Sequence, residues 1–146
     1  MQIEFTKEQY ESLLKLVYCG NLIINGARLP QDRIDEYDNL CSHIYSKGKD
    51  FGKEDLTQYW EEEKKYIASN FLETDEDVEE YIKFYNDDIF WNTLVDGLVD
   101  RDLEEKSGKK SNNIEEKIDQ LSEYYWEEFS KNSVKNLKVI EKNNKK

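Results

Sequence analysis

The sequence predicts a mainly α fold of about six helices in one compact domain, with a small two-stranded pairing of its N- and C-terminal segments. Three observations carry that expectation. Apolar residues recur at helical spacing in segment after segment, whereas strict alternation is confined to the two ends. One proline and six glycines leave few turn-formers in 146 residues. Three tryptophans, ten tyrosines and six phenylalanines can fill a core although only 37% of the chain is hydrophobic.

The elements follow in order. Gln2 to Phe5 alternate polar and apolar, as a short strand does. Thr6 then reads as an N-cap with Gln9 completing a capping box. Tyr10, Leu13, Leu14, Val17, Ile24 and Ala27 give a helical stripe over residues 7–27. Pro30 breaks it and suits the first turn of the next helix, whose stripe is Ile34, Tyr37, Leu40, Cys41, Ile44 and Tyr45. The segment from Gly48 to Gly52 ends that helix. A third, shorter helix is expected around Leu56, Tyr59, Trp60, Tyr66 and Ile67, supported by Glu61 four residues before Lys65.

Thr74 is the expected cap of a fourth helix bearing Val78, Tyr81, Ile82 and Tyr85. The Asn86-Asp87-Asp88 step opens a fifth, in which Phe90, Trp91, Leu94, Val95 and Leu98 should form the middle of the core. Val99 and Leu103 continue that stripe, and Gly108 closes it. Ser111 and two asparagines lead into a sixth helix with Ile114, Ile118, Leu121, Tyr125 and Phe129 inward. Val134, Leu137, Val139 and Ile140 suggest the second terminal strand, and residues 141–146 a frayed tail. A single domain over 1–146 fits this length.

Charge is the most asymmetric property. Thirteen carboxylates and two basic residues lie between Glu73 and Glu105, a net of −11 out of −12 for the whole chain. Such a field attracts basic proteins and repels nucleic acid and anionic membrane. A basic protein partner is expected, with no direct nucleic-acid binding and no membrane. No signal-peptide pattern opens the chain. Cys19 and Cys41 are two thiols in a chain too large to need a disulfide framework. The expected location is cytoplasmic.

The stretches Ile3-Glu4-Phe5-Thr6-Lys7-Glu8-Gln9-Tyr10, Leu13-Leu14-Lys15-Leu16-Val17-Tyr18, and Phe90-Trp91 leading to Asp100-Arg101-Asp102-Leu103 resemble an uncharacterised group of small acidic bacterial proteins. That resemblance implies a natural folded bacterial domain and carries no functional residue with it.

Chemistry finds little purchase. His43 is the sole histidine, and Cys41 lies two residues away, so on a helix the two side chains point in different directions. Two cysteines and one histidine leave a four-ligand zinc site one short. Counting an EF-hand loop from Asp75 puts Glu80 where glycine is required and Asn86 where glutamate is required. The acids from Glu73 to Glu80 fit a helix start better, where the dipole favours them. No catalytic residue, cofactor or metal is therefore expected.

The candidate partner-binding residues are Asp87, Asp88, Asp96, Asp100, Glu104 and Trp126. Asp96, Asp100 and Glu104 recur every fourth residue and make a regularly spaced row of negative charge that could imitate a nucleic-acid backbone. Tyr124, Tyr125 and Trp126 are consecutive, so at least one should be partly exposed, as suits an interface with a partner or a second copy in a homodimer. The expected function is a non-enzymatic acidic interaction protein, in its sharpest form an inhibitor or immunity-type protein blocking a basic nucleic-acid-handling partner. The alternative is a small-molecule-binding or enzymatic domain using clustered carboxylates in a cleft.

Overall fold

The computed structural model describes residues 3–106 and 113–138, with the backbone alone at 105 and 106. Among them five α-helices form: α1 (Lys7–Asn25), α2 (Asp35–Tyr45), α3 (Asn70–Glu73), α4 (Glu76–Lys106) and α5 (Ile114–Asn132). A single antiparallel hairpin, β1 (Thr57–Trp60) and β2 (Lys65–Ala68), lies between α2 and α3 in the chain. Packing divides the residues into two units, one up to Tyr85 and one from Asn86 onward. Each has its own core.

The first unit begins where the sequence says it should. Thr6 Oγ1 accepts from the Gln9 amide at 3.2 Å, and Gln9 Oε1 accepts from the Thr6 amide at 2.9 Å. This reciprocal pair satisfies two donors that α1 would otherwise leave open. Tyr10 and Leu14 on its inner stripe are 2% and 0% exposed. They pack with Cys41 and Tyr45 of α2, Leu56 and Ala68 of the hairpin region, Leu72 of α3 and Val78 of α4. The Tyr10 ring stacks on Phe51 at 4.1 Å, and its hydroxyl donates to the Ile44 carbonyl at 2.7 Å. Burial, then the nearby Asp50 charge, push that phenol up to about 12. Lys15 donates to Asp75 and Asp77 at 2.8 and 2.7 Å, tying α1 to the start of α4.

The expected third helix is a hairpin instead. Four of its five apolar residues are β-branched or aromatic (Tyr59, Trp60, Tyr66, Ile67), which favour a pleated surface. The register pairs Thr57 with Ala68 and Trp60 with Lys65. Glu61 to Lys64 therefore form a turn, and Lys64 takes φ 51° to close it. Glu61 and Lys65 are not helical neighbours. The Tyr66 amide donates to Ser42 Oγ at 2.9 Å, docking β2 on α2, and the Ser69 hydroxyl donates to the Asp55 carbonyl at 2.5 Å. Just before the hairpin, a Cβ added at buried Gly48 would fall 2.5 Å from Thr57 Oγ1, so only glycine fits there.

The pairing of the chain ends does not form among the described residues. Residues 3–6 have no regular structure, and Ser133–Asn136 is a 3-10 turn. Ile3 and Leu137 are 68% and 43% exposed, so the alternation at either end has no apolar surface to lie on. Gln2, Val139 and Ile140 of those expected strands, and the tail 141–146, lie outside the described residues.

The expected fourth and fifth helices are one continuous helix, α4. Asn86, Asp87 and Asp88 are exposed, and exposed polar residues without proline or glycine do not break a helix. Its cap is Asp75, whose Oδ1 accepts from the Val78 amide at 3.2 Å. Thr74 instead ends α3, its hydroxyl donating to the Asn70 carbonyl at 2.8 Å. Closure at Gly108 and the lead-in at Ser111 lie outside the described residues.

In the second unit Val95 and Val99 of α4 pack with Tyr125 and Phe129 of α5, flanked by half-buried Trp91, Leu94, Leu98, Leu103 and Leu121. Trp91 meets Phe129 at 5.4 Å between ring centres. The expected core stripe is right in direction and wrong at one residue. Phe90 is 50% exposed, because it sits about 100° around the helix from Trp91. Tyr125 donates to Asp102 at 2.7 Å and accepts from Arg101 at 2.9 Å, which satisfies its hydroxyl at the edge of the core.

Two outcomes follow for stability. Lys64→Gly should leave the melting free energy unchanged or raise it by up to about 1 kcal/mol, since glycine adopts the left-handed turn without steric cost. In a helix interior the same change would lose about 1 kcal/mol, so denaturant titration distinguishes the two. Phe129→Ala should cost about 3–5 kcal/mol, and Phe90→Ala no more than about 1. Equal losses would place Phe90 in the core.

Candidate functional site

Asp96, Asp100 and Glu104 project from α4 and all three are exposed. On a regular helix each lies about 6 Å beyond the last and about 40° further round, so they form one shallowly winding row. Counting about 100° per residue, they lie on the side of α4 away from Trp91, Leu94 and Leu98. Asp87 and Asp88 are also exposed, yet the continuity of α4 separates them from the row. Asp87 lies nine residues before Asp96, about half a turn around the helix, and Asp88 about 80° away. Trp126 is 40% exposed on α5 and Tyr124 is 61% exposed beside it. The structure thus gathers three of the six candidate residues into one face and leaves three apart.

A second site was not visible in the sequence. The first unit holds a cleft of about 590 Å³ formed by α1, α2 and the hairpin. Asn21, Arg33 and Asp38 on its lining belong to a polar network centred on Asn25. Asn25, fully buried, donates to Asn21 Oδ1 at 3.0 Å, Asp38 Oδ1 at 3.1 Å and the Ile34 carbonyl at 3.3 Å. Asn25 Oδ1 accepts from the Ile34 amide at 2.9 Å. Arg33 forks onto Asp38, with Nε to Oδ2 and Nη2 to Oδ1 both at 2.8 Å. The guanidinium, outweighing the cost of burial and helped by Asn21 and Asn25, holds the Asp38 carboxyl at about 2 rather than the ordinary 3.8. Asp38 is ionised at any physiological pH and works as a structural anchor.

Burial opposes ionisation of the thiols and phenols of this unit. Burial raises Cys41, and the Asp38 charge adds to it. Burial also raises Cys19 and, with smaller contributions from neighbouring charges, Tyr45 and Tyr18. A nucleophilic cysteine needs the opposite shift. Both cysteines are free, and His43 is exposed on α2. Among the described residues no group of three or more His, Cys, Asp or Glu side chains is placed to hold a metal ion. No described helix is long and apolar enough to cross a membrane.

The cleft escaped sequence reading because its parts come from four separate segments. Tyr18, Asp38 and Trp60 share no spacing rule, and the hairpin that brings Trp60 and Tyr66 to the rim was itself read as a helix. The one local signal was Arg33 five residues before Asp38, an acid–base pair across a helix start. No protein-family model, no curated protein and no solved structure matches this chain.

The Asp38 anchor predicts an acid-sensitive contribution to stability. The folded carboxyl titrates below its unfolded value, so its contribution is full above pH 4 and disappears as pH falls toward about 2. Because the Arg33 side chain is 36% exposed, solvent screening limits it to about 1–2 kcal/mol. Urea titrations of the wild type and Asp38→Asn should differ by that amount at pH 6 and converge near pH 2. A gap that persisted at pH 2 would mean the carboxylate charge is not what Asp38 contributes.

Proposed function

We propose that this protein is a non-enzymatic acidic interaction protein whose exposed face on α4 engages a basic partner. The observation that supports it is the row Asp96, Asp100 and Glu104, exposed on one side of a continuous helix. The row sits in a stretch carrying nearly all of the chain's net negative charge. A rigid helix holds such charges at fixed spacing, which is what a cationic groove built for a phosphate backbone would accept. In its sharpest form the protein is an inhibitor or immunity-type protein that occupies the groove of a nucleic-acid-handling protein. The same field would keep nucleic acid and anionic membrane away. Tyr124 and Trp126 offer apolar contacts to a partner or to a second copy. The cytoplasm, where the two thiols stay reduced, is the proposed location.

The test uses a pull-down from bacterial lysate at low and high salt with three proteins. Captured basic proteins should release as salt rises, because exposed charge pairs are screened beyond a Debye length of about 8 Å at 0.15 M. Replacing Asp96, Asp100 and Glu104 together by lysine should weaken capture at least about tenfold, with the helical circular dichroism unchanged. Lysine at Glu36, Glu54 and Glu61, exposed positions outside the acidic stretch, should do much less. Equal capture by both triple variants would assign the interface elsewhere and leave the row a solubility feature.

A further inference from the structure

We propose that the cleft between α1, α2 and the hairpin binds a small organic cation bearing alkyl groups on nitrogen. This site is separate from the acidic row and does not depend on it. At about 590 Å³ the cleft has the size of a small-molecule pocket. Four of its walls are aromatic rings: Tyr18 from α1, Tyr45 from α2, and Trp60 and Tyr66 from the hairpin. Trp60 and Tyr66 remain 44% and 38% exposed, so their rings are available at the rim. Aromatic faces carry negative potential and attract a cation within about 6 Å, with tryptophan the strongest of them.

Charge selects the sign of the ligand. Asp35, Asp38, Glu63 and Glu73 line the cleft against two bases, Arg33 and Lys65. Arg33 is ion-paired to Asp38 through Nε and Nη2, so its charge in the cleft is offset by that carboxylate. Among the described residues, Asp35, Glu63 and Glu73 enter no ion pair. Glu73 lies near enough to Tyr18 and Tyr45 for its charge to be felt at both hydroxyls. Three unpaired carboxylates and four rings around one lining lysine suit an alkylated ammonium, whose weak hydration lets it leave water for aromatic surface. A metal ion would lack converging ligands there.

The test is titration of the full chain, followed by amide NMR shifts and calorimetry at constant ionic strength. The probes are choline, its neutral isostere 3,3-dimethyl-1-butanol, and inorganic phosphate. Choline should saturate and shift amides of Tyr18, Trp60 and Tyr66. The isostere should bind about tenfold more weakly or not at all, and phosphate should not saturate. Trp60→Ala and Glu73→Gln should each weaken choline by about threefold to thirtyfold. Both positions are exposed, so the fold should survive. Lys65→Gln should tighten it, by removing the competing charge. The Asp96, Asp100 and Glu104 triple lysine variant should bind choline as the wild type does, which separates failure here from failure of the acidic interface. Equal binding of choline and its isostere, shifts linear in choline, or saturation by phosphate would each overturn the proposal.

Discussion

Asn25 is where the first unit is most tightly specified. A primary amide with no solvent contact must find partners within the protein or lose several kcal/mol of hydration. Here its oxygen and both amide hydrogens are used, and two of the bonds go to the backbone of Ile34. That closes the connection between α1 and α2 at a fixed length, with the intervening turn begun by Pro30. Asp38, shared by Asn25, Asn21 and Arg33, then sets the rotation of α2. Once α2 is oriented, Ser42 meets β2 and Cys41 and Tyr45 reach the core. An aliphatic residue in place of Asn25 would keep the volume and lose the register.

The two cores differ in kind. The first is assembled from many segments far apart in sequence, with Tyr10, Leu56, Leu72 and Val78 meeting at one place. The second is a two-helix seam of valines on α4 against aromatic rings on α5. Polar tethers reflect that difference. In the first unit they join separate elements, as Lys15 joins α1 to the cap of α4 and Lys53 joins Glu11. In the second unit several stay on one helix, as Lys131 pairs with Glu127.

What could be read from the residues was whatever depends on neighbours within one turn of helix. Thr6 with Gln9 marked the start of α1 to the residue, whereas the stripes of α2, α4 and α5 held only in part. Cys41, Tyr45, Val78, Val95, Tyr125 and Phe129 are buried, but Leu40, Tyr81, Tyr85, Ile114 and Ile118 of the expected stripes are exposed. The hairpin at Tyr59-Trp60 and Tyr66-Ile67 misled because adjacent apolar pairs break strict alternation and fit a helical stripe. What decided it was Ser42 and a buried place for Ala68, both tertiary. Fusion of two expected helices into α4 is the converse case, since nothing local tells an exposed Asn-Asp-Asp step from a helix boundary. The terminal strands failed for want of a partner surface. The acidic row was legible because spacing alone defines it, whereas the cleft exists only after three elements have docked.

The bond from the Tyr66 amide to Ser42 Oγ has a further meaning. A two-stranded sheet exposes unpaired amides along each outer edge, and such edges invite another strand, from a second copy or from an unfolded chain. On β2 the amide next in line is already held by a side-chain hydroxyl, and α2 covers that flank. At the turn, three glutamates precede Lys64 and keep like chains apart by repulsion. On the β2 side, resistance to runaway strand addition therefore rests on one serine and a short run of charge.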